Sequence, residues 1–494
     1  MSVIRSTSTF STPKETPNKL GGFHLISVEN ATEGMENTLD TLRNNAVVAS
    51  GTHVFYTSED EVPFVPTGQL YVICADDADP EKCQQLLEEH NLEFIEARGE
   101  RKFIVQVTSE SENPIKTAQS LQQSPLITVA EPDLATFGKL KVFTTPLDSL
   151  LRDQWHLRNT GFHRGTSQGF LKGADARVID AWESSQTLGS PGVIVAVIDD
   201  GFDLSHPEFV GNGKVVAPRD FTRNSLDPQP DFLQEDWHGT ACAGVAVGNA
   251  NSSGIVGAAP SCRLMPVRWG RDLSDREIEN WFGYVREQEA WLVSCSWGAA
   301  ANYFPLSTRA FDAIAQCARE GRNGLGCVIC FAAGNSNHNI NDPTSRTLDG
   351  FAIHPDVIAV AACTSRDQRS NYSNYGKEIS ICAPSSGSGG WGITTSDVIG
   401  QYTDRNGNQR EAGYSIGAYT NDFGGTSSAC PLVAGICALI LSIKPQLTAA
   451  QVKELIQRTA RRIGDPASYD NQGHSMFYGY GCIDTASAVK ALLS

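Results

Sequence analysis

The chain has 494 residues, enough for two or three domains. Hydrophobic residues make up 40% and there are 45 glycines, a globular composition with a large core and many turns. A net charge of −17 repels nucleic acid and anionic lipid, which excludes both as expected partners.

Residues 1–20 are rich in Ser, Thr and Pro and carry no apolar signal-peptide core. The longest apolar stretch, Val433 to Ile443, is too short to span a bilayer. The thirteen cysteines are odd in number and set singly in apolar runs, as expected of reduced core thiols in a cytoplasmic protein. Cys327 and Cys330 form a CxxC in a strand-like run; period two puts them on opposite faces, against a shared metal.

Residues 1–50 read as a poorly ordered segment and Val47 to Tyr56 as a hairpin arm. From there to residue 136 the pattern predicts strand Leu70–Cys74, a helix capped by Asp79-Pro80, strands Leu92–Ala97 and Phe103–Val107, a helix after Asn113-Pro114, and strand Leu126–Ala130. That β-α-β-β-α-β order is a small α+β sandwich. Residues 137–150 read as a linker.

Residues 151–494 alternate buried strands with helices. Strands are predicted at Val193–Ile198, Leu264–Val267, Trp291–Cys295, Val328–Ala333 and Val357–Ala361. Helices are predicted at His238–Val247, Ser274–Glu289, Ser307–Glu320, Ser427–Ser442 and Thr448–Arg461. The expected fold is α/β, with a doubly wound, mostly parallel sheet. A Gly-, Ser- and Tyr-rich insert at 385–421 contains a hairpin turn at Asn406-Gly407.

Asp199 ends the first buried strand of this region, where open α/β sheets place their sites. His238 opens a helix with small residues at Ala241, Ala243 and Gly244; the helix dipole disfavours its cation unless a carboxylate supports it. Asn335 ends a further strand and offers an amide donor. Ser427 stands between a glycine turn, Gly424-Gly425, and an apolar helix; it is read either as a presented nucleophile or as a helix N-cap.

Ile198-Asp-Asp-Gly201, His238-Gly-Thr240, Ala333-Gly-Asn335 and Gly425-Thr-Ser427 follow one another with intervals of 39, 97 and 92 residues. In that order they resemble the motifs of subtilisin-like serine peptidases over roughly residues 148–494. The resemblance implies an endopeptidase with nucleophile Ser427, general base His238, orienting Asp199, and an oxyanion hole from Asn335 and the Ser427 N–H. It implies pocket walls at Cys295, Ser296, Trp297 and Gly298 and at Ala332, Ala333 and Gly334, with Asp342 as an acid selecting Arg or Lys. Asp199-Asp200-Gly201, Gln154-Trp-His-Leu157 and Ser296-Trp-Gly298 look kexin-like, whereas Ala299 departs from that branch.

The resemblance further implies a structural Ca²⁺ held by Asp148, Glu208, Asn249, Asn251, Ser253 and Ile255, with Glu208 where the family usually has Asp. It also implies that residues 70–131 form a propeptide-like domain, an intramolecular inhibitor removed by self-cleavage between about Ala135 and Leu147. The expected partners are protein or peptide substrates, and the expected state is a monomer. A peptide ligase using the same acyl-enzyme and a non-catalytic peptide-binding scaffold are the alternative readings.

Overall fold

The computed structural model describes residues 54–56, 63–136 and 143–493 apart from 212 and 343, together with short antiparallel pairings within residues 10–28. Apart from those pairings, the predicted disorder of 1–50 lies outside the described residues, as do most of the arm at 47–56 and the linker core at 137–142. The chain divides into two compact units, Met1–Val142 and Phe143–Ser494, so the division falls inside the stretch read as a linker.

The first unit contains β1 (Pro63–Cys74), α1 (Pro80–Glu89), β2 (Leu92–Ala97), β3 (Lys102–Val107), α2 (Pro114–Gln122) and β4 (Ile127–Ala135). Its strands pair antiparallel in the order β4-β1-β3-β2. The helices begin where the sequence places them. Asp79 accepts from the Glu81 N–H, and Asn113 accepts from those of Ile115 and Lys116. β1 starts seven residues before its prediction, because Thr67-Gly68-Gln69 interrupts the apolar run while the backbone still pairs with β4. Leu70, Val72, Cys83, Leu87, Val105 and Leu121 form its core.

The second unit opens with α3 (Val178–Ser185), β5 (Ile194–Asp199), β6 (Arg219–Asp220), α4 (His238–Val247), β7 (Arg263–Arg268) and α5 (Asp275–Glu287). It continues with β8 (Leu292–Cys295), α6 (Thr308–Glu320), β9 (Val328–Ala332), β10 (Val357–Cys363) and β11 (Ile381–Pro384). The insert supplies β12 (Ile393–Ser396), β13 (Gln401–Thr403), β14 (Gln409–Glu411) and β15 (Tyr419–Phe423). α7 (Thr426–Ile443), α8 (Ala449–Arg458) and α9 (Thr485–Leu493) close the chain.

Seven strands form one parallel sheet in the order β6-β7-β5-β8-β9-β10-β11. Along β5 the side chains alternate between two cores. Val195 and Val197 face α4 and α7; Ile194, Ala196 and Ile198 face α5 and α6. This is the doubly wound α/β arrangement. Cys330 and Cys327 also fall in opposite cores.

The chain leaves β5 to one side for β7 and returns to the other for β8. The C-terminal end of β5 is therefore a topological switch point, the crevice where such sheets hold ligands. α7 is apolar and long enough to pass for a membrane span by length and composition, but 83% of it is buried, because it is the central core helix. β11, α3 and α9 escape prediction, being short elements whose apolar pattern is brief. The hairpin turn at Asn406-Gly407 joins β13 to β14, and β12 pairs with β15.

Candidate active site

Register lines up the strand ends. Ile198 lies opposite Cys295, and Cys295 opposite Phe331, so Asp199, Ser296 and Ala332 emerge side by side at one edge of the sheet. Asp199 Oδ1 accepts from His238 Nδ1 at 2.8 Å and from the Asp200 N–H at 2.9 Å. Gly239 makes that approach possible. A Cβ there would stand 2.5 Å from the Gly201 carbonyl oxygen and 2.9 Å from Asp199 Cβ, so no larger residue could follow His238 so close to β5.

His238 is the first residue of α4. Burial works against its cation, but the Asp199 carboxylate and the neighbouring Cys242 together outweigh burial and hold the imidazole well above its ordinary value. The carboxylate that a first-turn histidine requires is therefore present. With Nδ1 turned to Asp199, Nε2 is the nitrogen left to take a proton. Phe423 packs edge-on against the imidazole with centroids 5.6 Å apart. Cys242, one turn along α4, sets its Sγ 3.7 Å from His238 Nδ1 and 3.5 Å from the Ser427 carbonyl oxygen.

Ser427 is not the N-cap of α7; Gly425 is, with φ of +71°. Ser427 lies in the first turn, and its Oγ donates to the Ser296 carbonyl at a long 3.3 Å instead of to the imidazole. Such bonds are often loose without substrate, and a hydroxyl held this weakly turns readily. Asn335 is exposed, and its Oδ1 accepts from the Thr426 N–H at 2.8 Å and from Thr426 Oγ1 at 3.1 Å. That fixes the amide and leaves Nδ2 on the side where a Cβ on Gly425 would meet it at 3.1 Å. The arrangement sets a base, a hydroxyl and an amide donor in one neighbourhood: Cys242 Sγ touches both the imidazole and the Ser427 carbonyl, and Ser427 and Asn335 share a cavity wall.

A cavity of about 190 Å³ opens beside Ser427 and Asn335. Ser296, Trp297, Gly298 and Gly334 line it as expected. Ala332 lines it, while Ala333 is turned into the core beneath. Asp342 is not in the wall, which corrects the expectation for that residue: its carboxylate caps a surface turn, accepting from the Thr344 N–H and Ser345 Oγ. The acid in the wall is Asp349. The chain doubles back, so Asp342, on the outer strand, pairs with Thr347, while Leu348 and Asp349 on the inner strand pair with Tyr303-Phe304. Asp349 Oδ1 accepts from the Phe351 and Ala352 N–H groups, and Oδ2 lies 3.6 Å from where a Cβ on Gly298 would stand. Burial pushes the Asp349 carboxyl up to about 6. No local pattern marks Asp349; Asp342 merely stood nearer to Asn335 in sequence.

Asp200 accepts from the Gly239 N–H at 2.9 Å and pairs with Arg271 at 3.1 Å, so this second acid braces the start of α4. Burial and the adjacent Asp199 push it up to about 7.

The residues expected to hold Ca²⁺ meet where segment 148–150 joins the loop after α4. The Asn251 N–H donates to Asp148 Oδ1, and the Ile255 N–H and Tyr419 hydroxyl donate to Glu208 Oε1. The side chains of Asn249 and Asn251 are engaged with Val210, Pro207 and the Ser253 N–H, which shape the loop. Asp148 Oδ2 and Glu208 Oε2 are buried without a hydrogen-bond partner. Burial pushes Glu208 up to about 8 and raises Asp148 too. Two orphaned carboxylate oxygens beside a loop of main-chain carbonyls fit a hard cation.

The subtilase family profile matches residues 190–481. A calcium-dependent protease of Nostoc sp. is 36% identical over 455 residues, covering 87% of this chain and 64% of that protein's length. Kexin of Saccharomyces cerevisiae is 28% identical over 354 residues, 69% of this chain and 39% of kexin. A serine protease of Aeromonas sobria, solved in complex with a chaperone, matches with a TM-score of 0.59 at 22% identity, over 70% of this chain and 67% of that one, a likeness of fold. With the profile covering more than half of the chain and all four motifs within it, this chain belongs to the subtilase family.

Proposed function

We propose that the protein is a serine endopeptidase. The observation that carries this reading is the Asp199–His238 pair, bonded at 2.8 Å beside the helix start that presents Ser427, with Asn335 at the same cavity mouth. A substrate strand lies along the cleft with one side chain in the 190 Å³ cavity. Ser427 Oγ leaves the Ser296 carbonyl, gives its proton to His238 Nε2 and attacks the scissile carbonyl. Asp199 stabilises the imidazolium, and Asn335 Nδ2 and the Ser427 N–H receive the oxyanion. His238 then protonates the leaving amine, and water repeats the sequence in reverse.

The side chain preferred in the cavity is Arg or Lys. Asp349 Oδ2 in the wall supports this, since Oδ1 alone takes the local backbone donors. Ca²⁺ is bound by Asp148 Oδ2, Glu208 Oε2 and carbonyls of the loop to Ile255, and it fixes the first residues of the catalytic unit to the loop after α4. Two curated relatives carry the name calcium-dependent protease, which agrees with that assignment. The N-terminal unit acts as an intramolecular inhibitor until the connection is cut near Leu147, a residue 85% exposed.

The test uses fluorogenic peptides differing only at the cleaved residue, together with a serine-directed fluorophosphonate. Turnover with labelling at Ser427, both lost in Ser427→Ala, is the expected outcome. Unlabelled, inactive protein whose N-terminal segment has been removed would overturn it.

A further inference from the structure

Three thiols that catalysis does not use converge from separate parts of the catalytic unit. Cys363 is the last residue of β10, Cys382 lies within β11, and Cys482 precedes α9. Their sulfurs all lie within 4.8 Å of one another, and Cys363 Sγ is 3.7 Å from Cys482 Sγ. All three are at most 1% exposed. Backbone bonds hold the cluster in place: the Cys382 N–H donates to Gly481, and the Ile483 N–H donates to Cys382, both at 2.9 Å. Among the described residues this is the one place where three thiols meet; the other candidate cluster, Asp199, His238 and Cys242, belongs to the active site.

The spacing has a chemical meaning. Three thiolates at about 2.3 Å from a tetrahedral zinc ion stand about 3.8 Å apart. A fourth donor is at hand: the main-chain carbonyl oxygen of Asp175 lies 3.9 Å from Cys482 Sγ and accepts from Arg461 Nη2 at 3.3 Å, which leaves its second lone pair for an ion. The nearby carboxylates are taken. Asp175 accepts from the N–H groups of Asn159 and Arg177, and Asp367 is paired with Arg461.

We propose that Cys363, Cys382 and Cys482, with the Asp175 carbonyl, form a structural zinc site. Binding releases three thiol protons to solvent and forms three Zn–S bonds, so the site carries one net negative charge. The guanidinium of Arg461, which interacts electrostatically with Cys482, faces that charge. The ion ties the ends of β10 and β11 to the loop before α9, a closure that spans 119 residues between Cys363 and Cys482. Sulfur ligation separates this site from the oxygen-lined one at Asp148 and Glu208.

The experiment uses the full chain carrying Ser427→Ala, which prevents self-digestion. The protein is produced with zinc, dialysed into metal-free buffer and analysed for metal content. One zinc per chain is expected, lost in Cys363→Ser, Cys382→Ser and Cys482→Ser and kept in Cys437→Ser. Where a variant fails to fold, timed alkylation of the parent chain decides. With zinc, Cys363, Cys382 and Cys482 should be modified last; after zinc removal they should lose that protection while the other cysteines do not change. Protein that retains no zinc even after refolding with it, zinc content equal in the three variants, or alkylation indifferent to zinc would each overturn the site.

Discussion

His238 Nδ1 donates to Asp199 Oδ1 at 2.8 Å across an interval of 39 residues, joining the start of α4 to the end of β5. This bond sets which imidazole nitrogen is free and how readily the ring is charged. Asp199→Asn should therefore do two things. It should lower kcat by roughly four orders of magnitude, because the neutral amide favours the wrong tautomer. It should also move the acid limb of the activity profile to lower pH. The base works only when neutral, so activity is lost as pH falls through the raised His238 value; without the carboxylate, burial is opposed by Cys242 alone and that value falls. Initial rates across the pH range check both, and an acid limb that does not move would count against the pairing.

Asp349 sets the next expectation. Asp349→Asn should reduce kcat/KM for substrates cleaved after Arg by about 10- to 100-fold, the scale of one lost charge-assisted bond. Substrates with Leu at that position should be nearly unaffected. In the parent protein, KM for Arg substrates should rise as pH falls through about 6, where the buried carboxyl takes up a proton. A substrate panel run from acid to neutral pH tests this, and equal losses for Arg and Leu would deny Asp349 its role.

Calcium should stabilise the catalytic unit. Dialysis into calcium-free buffer that still contains zinc should lower the melting midpoint of the Ser427→Ala protein, and excess Ca²⁺ should restore it, with Mg²⁺ much less effective because it demands tighter octahedral geometry. Glu208→Gln should abolish the response by removing the charge at one of the two orphaned carboxylates. Calorimetry with and without Ca²⁺ reads the effect directly.

Gly239→Ala probes the approach of α4 to β5. The added methyl would stand 2.5 Å from the Gly201 carbonyl oxygen, which is backbone and yields little. We expect a stability loss of about 1–3 kcal/mol, typical of overpacking. Activity should fall further than stability predicts, because the shift lengthens the Asp199–His238 bond. Denaturant unfolding beside kcat at low temperature separates the two; a variant with parental kcat would show that the close contact is not needed.

The amino-acid sequence by itself determined the architecture and put forward the candidate reacting groups. Buried β-branched runs such as Val193–Ile198 and helix starts at Asp79, Asn113 and Ser307 are local signals, and they lead to the observed elements within a few residues. Asp199, His238, Asn335 and Ser427 were legible because each stands at a punctuated strand end or helix start, and their order completes the pattern. Only the tertiary structure decided which acid faces the cavity, that Gly425 and not Ser427 caps α7, and that Cys363, Cys382 and Cys482 share one point. The physical reason is the same in each case. Asp342 and Asp349 sit on one short turnback whose outer and inner strands look alike along the chain, and the three thiols are set apart by up to 119 residues. Proximity of that kind comes from sheet order and from where the chain folds back on itself, and neither leaves a mark in local composition.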